Sequence, residues 1–369
     1  DALAANTTGD QNVAVGASAL LANTEGLENT AVGRFALCAN VTGDNNTAVG
    51  KAAFQKITTN NNTAVGMEAG ACTTSGFATV VGYRAMKANT TSSGGTAMGY
   101  QALCSNTTGD NNTAFGLETL SKNTTGVSNT AVGRDALEAN TTGGSKVSST
   151  GDNNTAVGNL ALDANTTASN NTGVGCGALG ANTTGTNNVA VGMSALLANT
   201  TGTGNTAVGF SSLLSVAGAG TDNSAVGCGA LCRVTTGDGN VGMGYAAGNN
   251  VTTGSDNTIL GRDAGRSSSP FNVTTESNRI VLGNNDVTNF YAKVALTVTS
   301  DLRDKTNFGK VPHGLDFVNQ LEPVSFQFRK SREDDTPHGA MHYGFKAQDI
   351  LALEGSNNVI IDDEQPDRL

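Results

Sequence analysis

Three observations in this 369-residue sequence predict an elongated all-β protein: a repeat β-solenoid or β-roll with about 16–17 residues per rung, followed by a small α+β domain. First, the phrase Asn-Thr-Ala-Val-Gly, two variable residues, then Ala-Leu recurs along most of the chain. Its glycine falls at Gly16, Gly33, Gly50, Gly66, Gly82 and onward to Gly261, with a weaker copy at Gly283. A period this short cannot enclose its own core, but it can form one rung of a stack whose apolar face is buried by its neighbours. Second, the composition suits a thin interior: 48 glycines, no tryptophan, and apolar content drawn mostly from Ala, Val and Leu. Third, near residue 287 charged and aromatic residues become denser, so an ordinary globular segment follows the array. The expected division is 1–286 for the array, 287–299 for a neck strand or linker, and 300–369 for the last domain.

Each rung can be read from one copy, Asn46 to Asn62. Thr47-Ala48-Val49 alternates as a short strand does, and Gly50 supplies a corner that has no Cβ. Ala53-Phe54, Ala-Leu in most rungs, is expected to be a second short strand. The polar Asn-Thr-Thr-Gly-Asp-Asn type of stretch that closes most rungs carries turn chemistry. Read across rungs, the residue before the glycine forms one apolar column (Val15, Val32, Val49, Val65) and the residue four after it forms another (Leu20, Leu37, Phe54, Met86). Both columns are expected to be buried by parallel, in-register stacking.

A further column, seven residues after the glycine, holds Asn40, Asn89, Asn106, Asn123, Asn140, Asn165, Asn182 and Asn199, each within Asn-X-Thr. Two readings fit: dense N-glycosylation, or stacked amides hydrogen-bonding from rung to rung. Asn23 keeps the asparagine while Thr24-Glu25 spoils the sequon, which favours the ladder. The six cysteines (Cys38, Cys72, Cys104, Cys176, Cys228, Cys232) form no same-column pair on adjacent rungs. Rungs about 4.8 Å apart therefore leave column partners beyond the ~7 Å Cα limit of a disulfide, and the thiols read as small buried apolar residues. Gly143–Thr150 and Arg266–Phe271 read as loop insertions.

The formal net charge of −10 argues against a nucleic-acid binder, which needs a basic surface. No apolar run is long enough to span a bilayer, so no membrane insertion is expected. The opening residues are already in repeat phase, which suggests numbering that starts inside a longer protein. The carboxylates of the array lie singly, so no glycosidase pair can be nominated, and Asp44, Asp110 and Asp152 do not form a calcium repeat. His338 and His342 flank Gly339-Ala340-Met341 without further ligands; they read as loop histidines, with an assisting role at a processing site as the alternative. No cofactor and no metal site are expected.

Chemistry is concentrated after residue 300: Ser300-Asp301-Leu302-Arg303-Asp304-Lys305, Gly314-Leu315-Asp316, Leu321-Glu322-Pro323-Val324-Ser325-Phe326, and Gly344-Phe345-Lys346-Ala347-Gln348-Asp349. In this order the motifs resemble the intramolecular chaperone auto-processing domain found at the C-termini of phage tail spikes and tail fibres, endosialidases included. The repeats themselves resemble arrays of viral fibres and the β-roll heads of trimeric autotransporter adhesins. The resemblance implies a homotrimer whose last domain helps the β-rich fibre fold and then cuts itself off. It assigns catalysis to Ser300 and Lys305, with Asp301, Arg303, Gly344, Phe345 and Gln348 as supporting motif residues. The residue logic is compatible: a serine hydroxyl is a poor nucleophile near pH 7 without a base, and a lysine whose pKa is depressed by burial can serve. Cleavage is expected at Ser300–Asp301. Asp304 and Phe308 depart from the family pattern, and the chain stops at Leu369, short of the family's long C-terminal helical stretch, so only the N-terminal part of the domain is expected here.

The function expected is therefore a viral tail fibre or spike serving host attachment, on the virion or an extracellular surface, with a host cell-surface glycan or protein as receptor. The alternative is a cellular trimeric surface adhesin or extracellular filament subunit. A glycan-degrading tailspike is weaker, since nothing in the array supports a catalytic pocket.

Overall fold

The computed structural model describes residues 1–141, 151–216, 218, 220–266, 271–291, 315–331 and 334–354. The chain divides into two compact units, Asp1–Val287 and Thr288–Leu369. The Gly143–Thr150 insertion and most of Arg266–Phe271 lie outside the described residues.

The first unit is one sheet of 16 strands stacked in chain order, β1 to β16. Each strand has three residues, from β1 (Val13–Val15) through β8 (Thr130–Val132) to β16 (Ile280–Leu282). Every neighbouring pair is parallel and in register, as in Thr30↔Thr47, Ala31↔Ala48 and Val32↔Val49. The β-solenoid read from the repeat is thus the observed architecture, and the spacing of the glycine is the length of one turn.

Two details of the rung differ from expectation. The strand turns its Ala inward, not its Val: Ala31 is 0% exposed while Val32 is 36% and Val15 is 58% exposed. Strict alternation permits either phase. Each rung has room for one inward residue from the strand, because the Leu column from the opposite side fills the rest. Ala-in with Leu-in packs this thin interior, and the last strand residue, Val in most rungs, is left exposed or half-buried on the outer side from Val15 to Leu282. The Ala-Leu segment, moreover, is not a second strand but a chain of turns. Its leucine sits in the left-handed region, as at Leu37 (φ 49°) and Leu137 (φ 52°). That conformation costs about 1–2 kcal/mol for an L-residue. Full burial of the side chain is worth about 1.5–3 kcal/mol, so stacking offsets the strain. The backbone still reaches the next rung, with Leu37 N–H donating to Ala53 O at 3.2 Å.

The corner after the strand needs glycine for two reasons. At Gly16 φ is +130°, and a Cβ there would lie 2.7 Å from the carbonyl of Gly33 on the next rung. Only a residue without a side chain permits that approach.

The asparagines form ladders. In the predicted column, Asn40 Nδ2 donates to Asn23 Oδ1 at 3.1 Å and Asn123 Nδ2 to Asn106 Oδ1 at 2.8 Å, and these residues are essentially fully buried. An N-linked glycan cannot occupy a buried amide that is already bonded twice, so the ladder reading holds. A second ladder runs through the Asn of Asn-Thr-Ala-Val-Gly itself. Asn46 N–H donates to Asn29 Oδ1 at 3.0 Å, and Asn171 Nδ2 to Asn154 Oδ1 at 3.3 Å. The first ladder stops where its asparagine is replaced, at Ile57 and again at Val216. The two stops explain the two buried oxygens without a hydrogen-bond partner among the described residues, Asn40 Oδ1 and Asn199 Oδ1. Each is the end of a ladder whose next rung has no amide to donate.

All six cysteines are free. Cys176 and Cys228, the pair directly after a corner glycine, are exposed rather than buried, because that position faces solvent as the chain leaves the strand.

Candidate functional site

In the second unit, helix α1 (Leu315–Val318) leads into strand β17 (Val324–Ser331), which pairs antiparallel with β18 (Asp334–Gly344); helix α2 (Ala347–Glu354) follows. No strand or helix forms over 287–291, the described part of the expected neck. The register pairs Val324 with Gly344 and Ser325 with Tyr343. It therefore brings the start of the Leu321–Phe326 motif beside the start of the Gly344–Asp349 motif. The two line one cleft of about 420 Å³, walled by Leu321 and Glu322 on one side and by Phe345, Lys346, Asp349 and Leu353 on the other. Gly344 ends β18, and Phe345, 47% exposed, turns the chain toward α2. Lys346 Nζ pairs with Asp349 Oδ2 at 3.4 Å across the first turn of α2. Gln348 lies in the same helix.

The histidines are not in a loop: His338 and His342 both lie in β18, and the His342 ring stacks on Phe326 at 5.7 Å between centroids. Antiparallel pairing with β17 places them there, with Phe326 opposite His342 and Phe328 opposite His338. Ser300, Asp301, Arg303 and Lys305 lie outside the described residues.

Residues 300–359 match the family model described as chaperone of endosialidase. The C-terminal segment is similar to that family. No curated protein and no solved structure matches the chain. A segment similar to the chaperone of endosialidase that follows a β-solenoid fits the make-up of a tail fibre or tail spike. The match begins at Ser300, so the expected Ser–Lys pair falls inside it, and the hairpin and the Phe345 cleft are also part of the matched segment. Among the described residues no helix is long and apolar enough to cross a membrane.

The array carries its own polar features. Tyr83 and Tyr100, one rung apart, stack at 5.3 Å, and the Arg84 guanidinium sits 4.9 Å over the Tyr83 ring. Glu68 binds both Lys87 (2.8 Å) and Arg84 (2.9 Å), and the hydrogen bond from Lys87 is the main cause holding its carboxyl below the usual range. Column reading of the sequence missed this cluster, because its members occupy variable positions. It also missed the second ladder, whose asparagine was read only as part of the repeat phrase.

Proposed function

We propose that this chain is part of a viral tail fibre or tail spike that serves host attachment, and that it works as a homotrimer matured by its own C-terminal chaperone segment. The observation that carries the reading is the chaperone-of-endosialidase match placed directly after a β-solenoid. A stack of three-residue strands is hard to fold from one end, because every rung is unstable until its neighbour is present. A dedicated chaperone supplies the missing nucleus.

The trimer reading is supported by the exposed apolar stripe. Val32, Val49, Phe115, Val157, Val191 and Met243 all present their side chains to solvent on one line. A partner matching this line must repeat every ~4.8 Å and be as long as the array. Another copy of the same chain meets both conditions.

In the maturation step Lys305 takes the Ser300 hydroxyl proton, the serine oxygen adds to the scissile carbonyl, and the Asp301 amine leaves with that proton. Water then opens the acyl ester, so the Ser300–Asp301 peptide bond is hydrolysed to a carboxylate and a free amine. The test is electrophoretic. The full chain is expected to yield a shortened array fragment, whereas Ser300→Ala and Lys305→Ala remain uncut. An uncut wild type, or a Ser300→Ala variant cut like wild type, overturns the self-cleavage reading.

A further inference from the structure

One stretch of the array breaks the pattern in several independent ways. The spacings from Gly50 to Gly66 and from Gly66 to Gly82 are each 16 residues rather than the prevailing 17. Both asparagine ladders are interrupted there: the first at Ile57 and Thr73, the second at Ala78 and Gly95. The residue lost from each short rung comes from the turn. The turn edge is thereby drawn in, leaving an open notch of about 430 Å³ lined by Thr58, Thr59, Asn60, Asn61, Gly76 and Phe77.

Phe77 is the anomaly within the notch. It occupies the slot two residues before the strand, where every rung holds its backbone in the left-handed region, from Gln11 (φ 58°) to Asn278 (φ 61°). The other occupants of the slot are Asn, Asp, Gly, Ser, Gln or Glu, short or flexible residues that tolerate this conformation better. Phe77 holds it at φ 64° and is 69% exposed. The strain is thus not repaid by burial, the compensation seen for the leucines. Strained positions of this kind concentrate where a ligand is held.

The rest of the notch supplies hydrogen-bonding groups without charge. In the neighbouring turns a side-chain oxygen caps the main-chain N–H one rung back: Asp44 Oδ1 accepts from Leu27 N, and Asn60 Oδ1 accepts from Asp44 N, both at 2.8 Å. The next position in that series is Gly76, which has no side chain, so Asn60 N–H receives no such cap. A Cβ at Gly76 would meet Asn60 O at 3.4 Å and Thr59 Oγ1 at 3.5 Å, ordinary contacts. Backbone packing therefore does not require glycine at 76. Its effect is to keep the notch open.

We propose that this notch is a saccharide-binding site, taking a neutral sugar residue whose apolar C–H face lies on the Phe77 ring while its hydroxyls bond Thr58, Asn60 and Asn61. A sugar ring has one apolar face and a rim of donors and acceptors. One exposed aromatic among hydroxyls and amides is the matching surface. No charged side chain lines the notch, which sets its ligand apart from anionic glycans. The inference deepens the attachment reading and rests on it, by naming where and what the fibre binds.

The test probes the full chain, wild type and two variants, on a microarray of neutral hexose- and N-acetylhexosamine-containing oligosaccharides alongside sialylated ones. Phe77→Asn restores the residue type the slot favours, and Gly76→Val fills the notch. Wild type is expected to bind neutral oligosaccharides. Both variants are expected to bind at least tenfold more weakly, with a melting temperature for Phe77→Asn equal to or above that of wild type. Variants that bind like wild type, or a wild type that binds no neutral glycan, overturn the proposal. The attachment reading is measured separately, by adhesion of the labelled chain to a panel of bacterial cells before and after periodate oxidation of surface sugars. Adhesion that survives oxidation or the Phe77→Asn change upholds attachment while overturning the saccharide site.

Discussion

At the scale of single residues, the fold is a negotiation between strain and burial. The column leucines, such as Leu37 and Leu137, hold a left-handed backbone while fully buried, and Phe77, with the same strain and most of its surface exposed, stands out against that background. Asp152 shows the same accounting for charge. It is 7% exposed, its Oδ1 accepts Val127 N–H at 2.8 Å, and burial pushes its carboxyl pKa up. A carboxyl raised in the folded state favours the protonated form, so its contribution to stability is lost as pH rises above the ordinary carboxylate value of about 3.9. Asp152→Asn keeps the acceptor and removes the charge. The variant is expected to melt higher than wild type at pH 7, with the difference vanishing below about pH 4. Calorimetry across that range checks it. A gap that persists in acid would assign the effect to something other than the buried carboxylate.

At the scale of the rung and its ladders, stability is passed between neighbours. An interior asparagine both donates and accepts: Asn182 Nδ2 donates to Asn165 Oδ1 at 3.1 Å, and its own Oδ1 accepts from Asn199 Nδ2 at 2.9 Å. Asn199 only donates, since Val216 offers nothing to its oxygen. Asn182→Ala therefore strands groups on both sides, while Asn199→Ala also removes an unsatisfied oxygen. Leaving a buried polar group unpaired costs about 1–3 kcal/mol. Urea denaturation should show Asn182→Ala to be the more damaging change, by on the order of 1 kcal/mol. Equal losses would mean that the ladder does not transmit stability. The phase of the ladders was partly legible in the sequence, because Asn23 retains its amide after its sequon is lost. The second ladder was not, because its asparagine also begins the strand phrase and could be explained by turn chemistry alone.

At the scale of the molecule, the outward valine stripe is the surface that the proposed trimer would bury. A monomeric solenoid would leave an apolar line open from the first rung to the last, the kind of patch that soluble chains cover. Val132→Asp combined with Val157→Asp places two adjacent charges on that line without touching the buried Ala and Leu columns. Analytical ultracentrifugation is expected to find trimers for wild type and mostly monomers for the double variant, with the β-sheet circular dichroism retained. A monomeric wild type, or a variant that stays trimeric, would remove the stripe from the assembly. In the second unit, two motifs far apart in sequence meet at the Phe345 cleft through hairpin pairing. Spacing alone could not show that meeting, because it depends on strand register.

The amino-acid sequence by itself determined the solenoid, the length of its turn, the leucine column, the first ladder and the chaperone segment, since each follows from a period or a motif that stacking copies without change. The tertiary structure decided which side of Thr-Ala-Val faces in, that Ala-Leu turns rather than extends, and that a shortened pair of rungs opens a notch under Phe77. For the strand the reason is volume. A three-residue strand is too short for its pattern to choose a face, so the choice falls to the volume left inside the rung by the residues opposite.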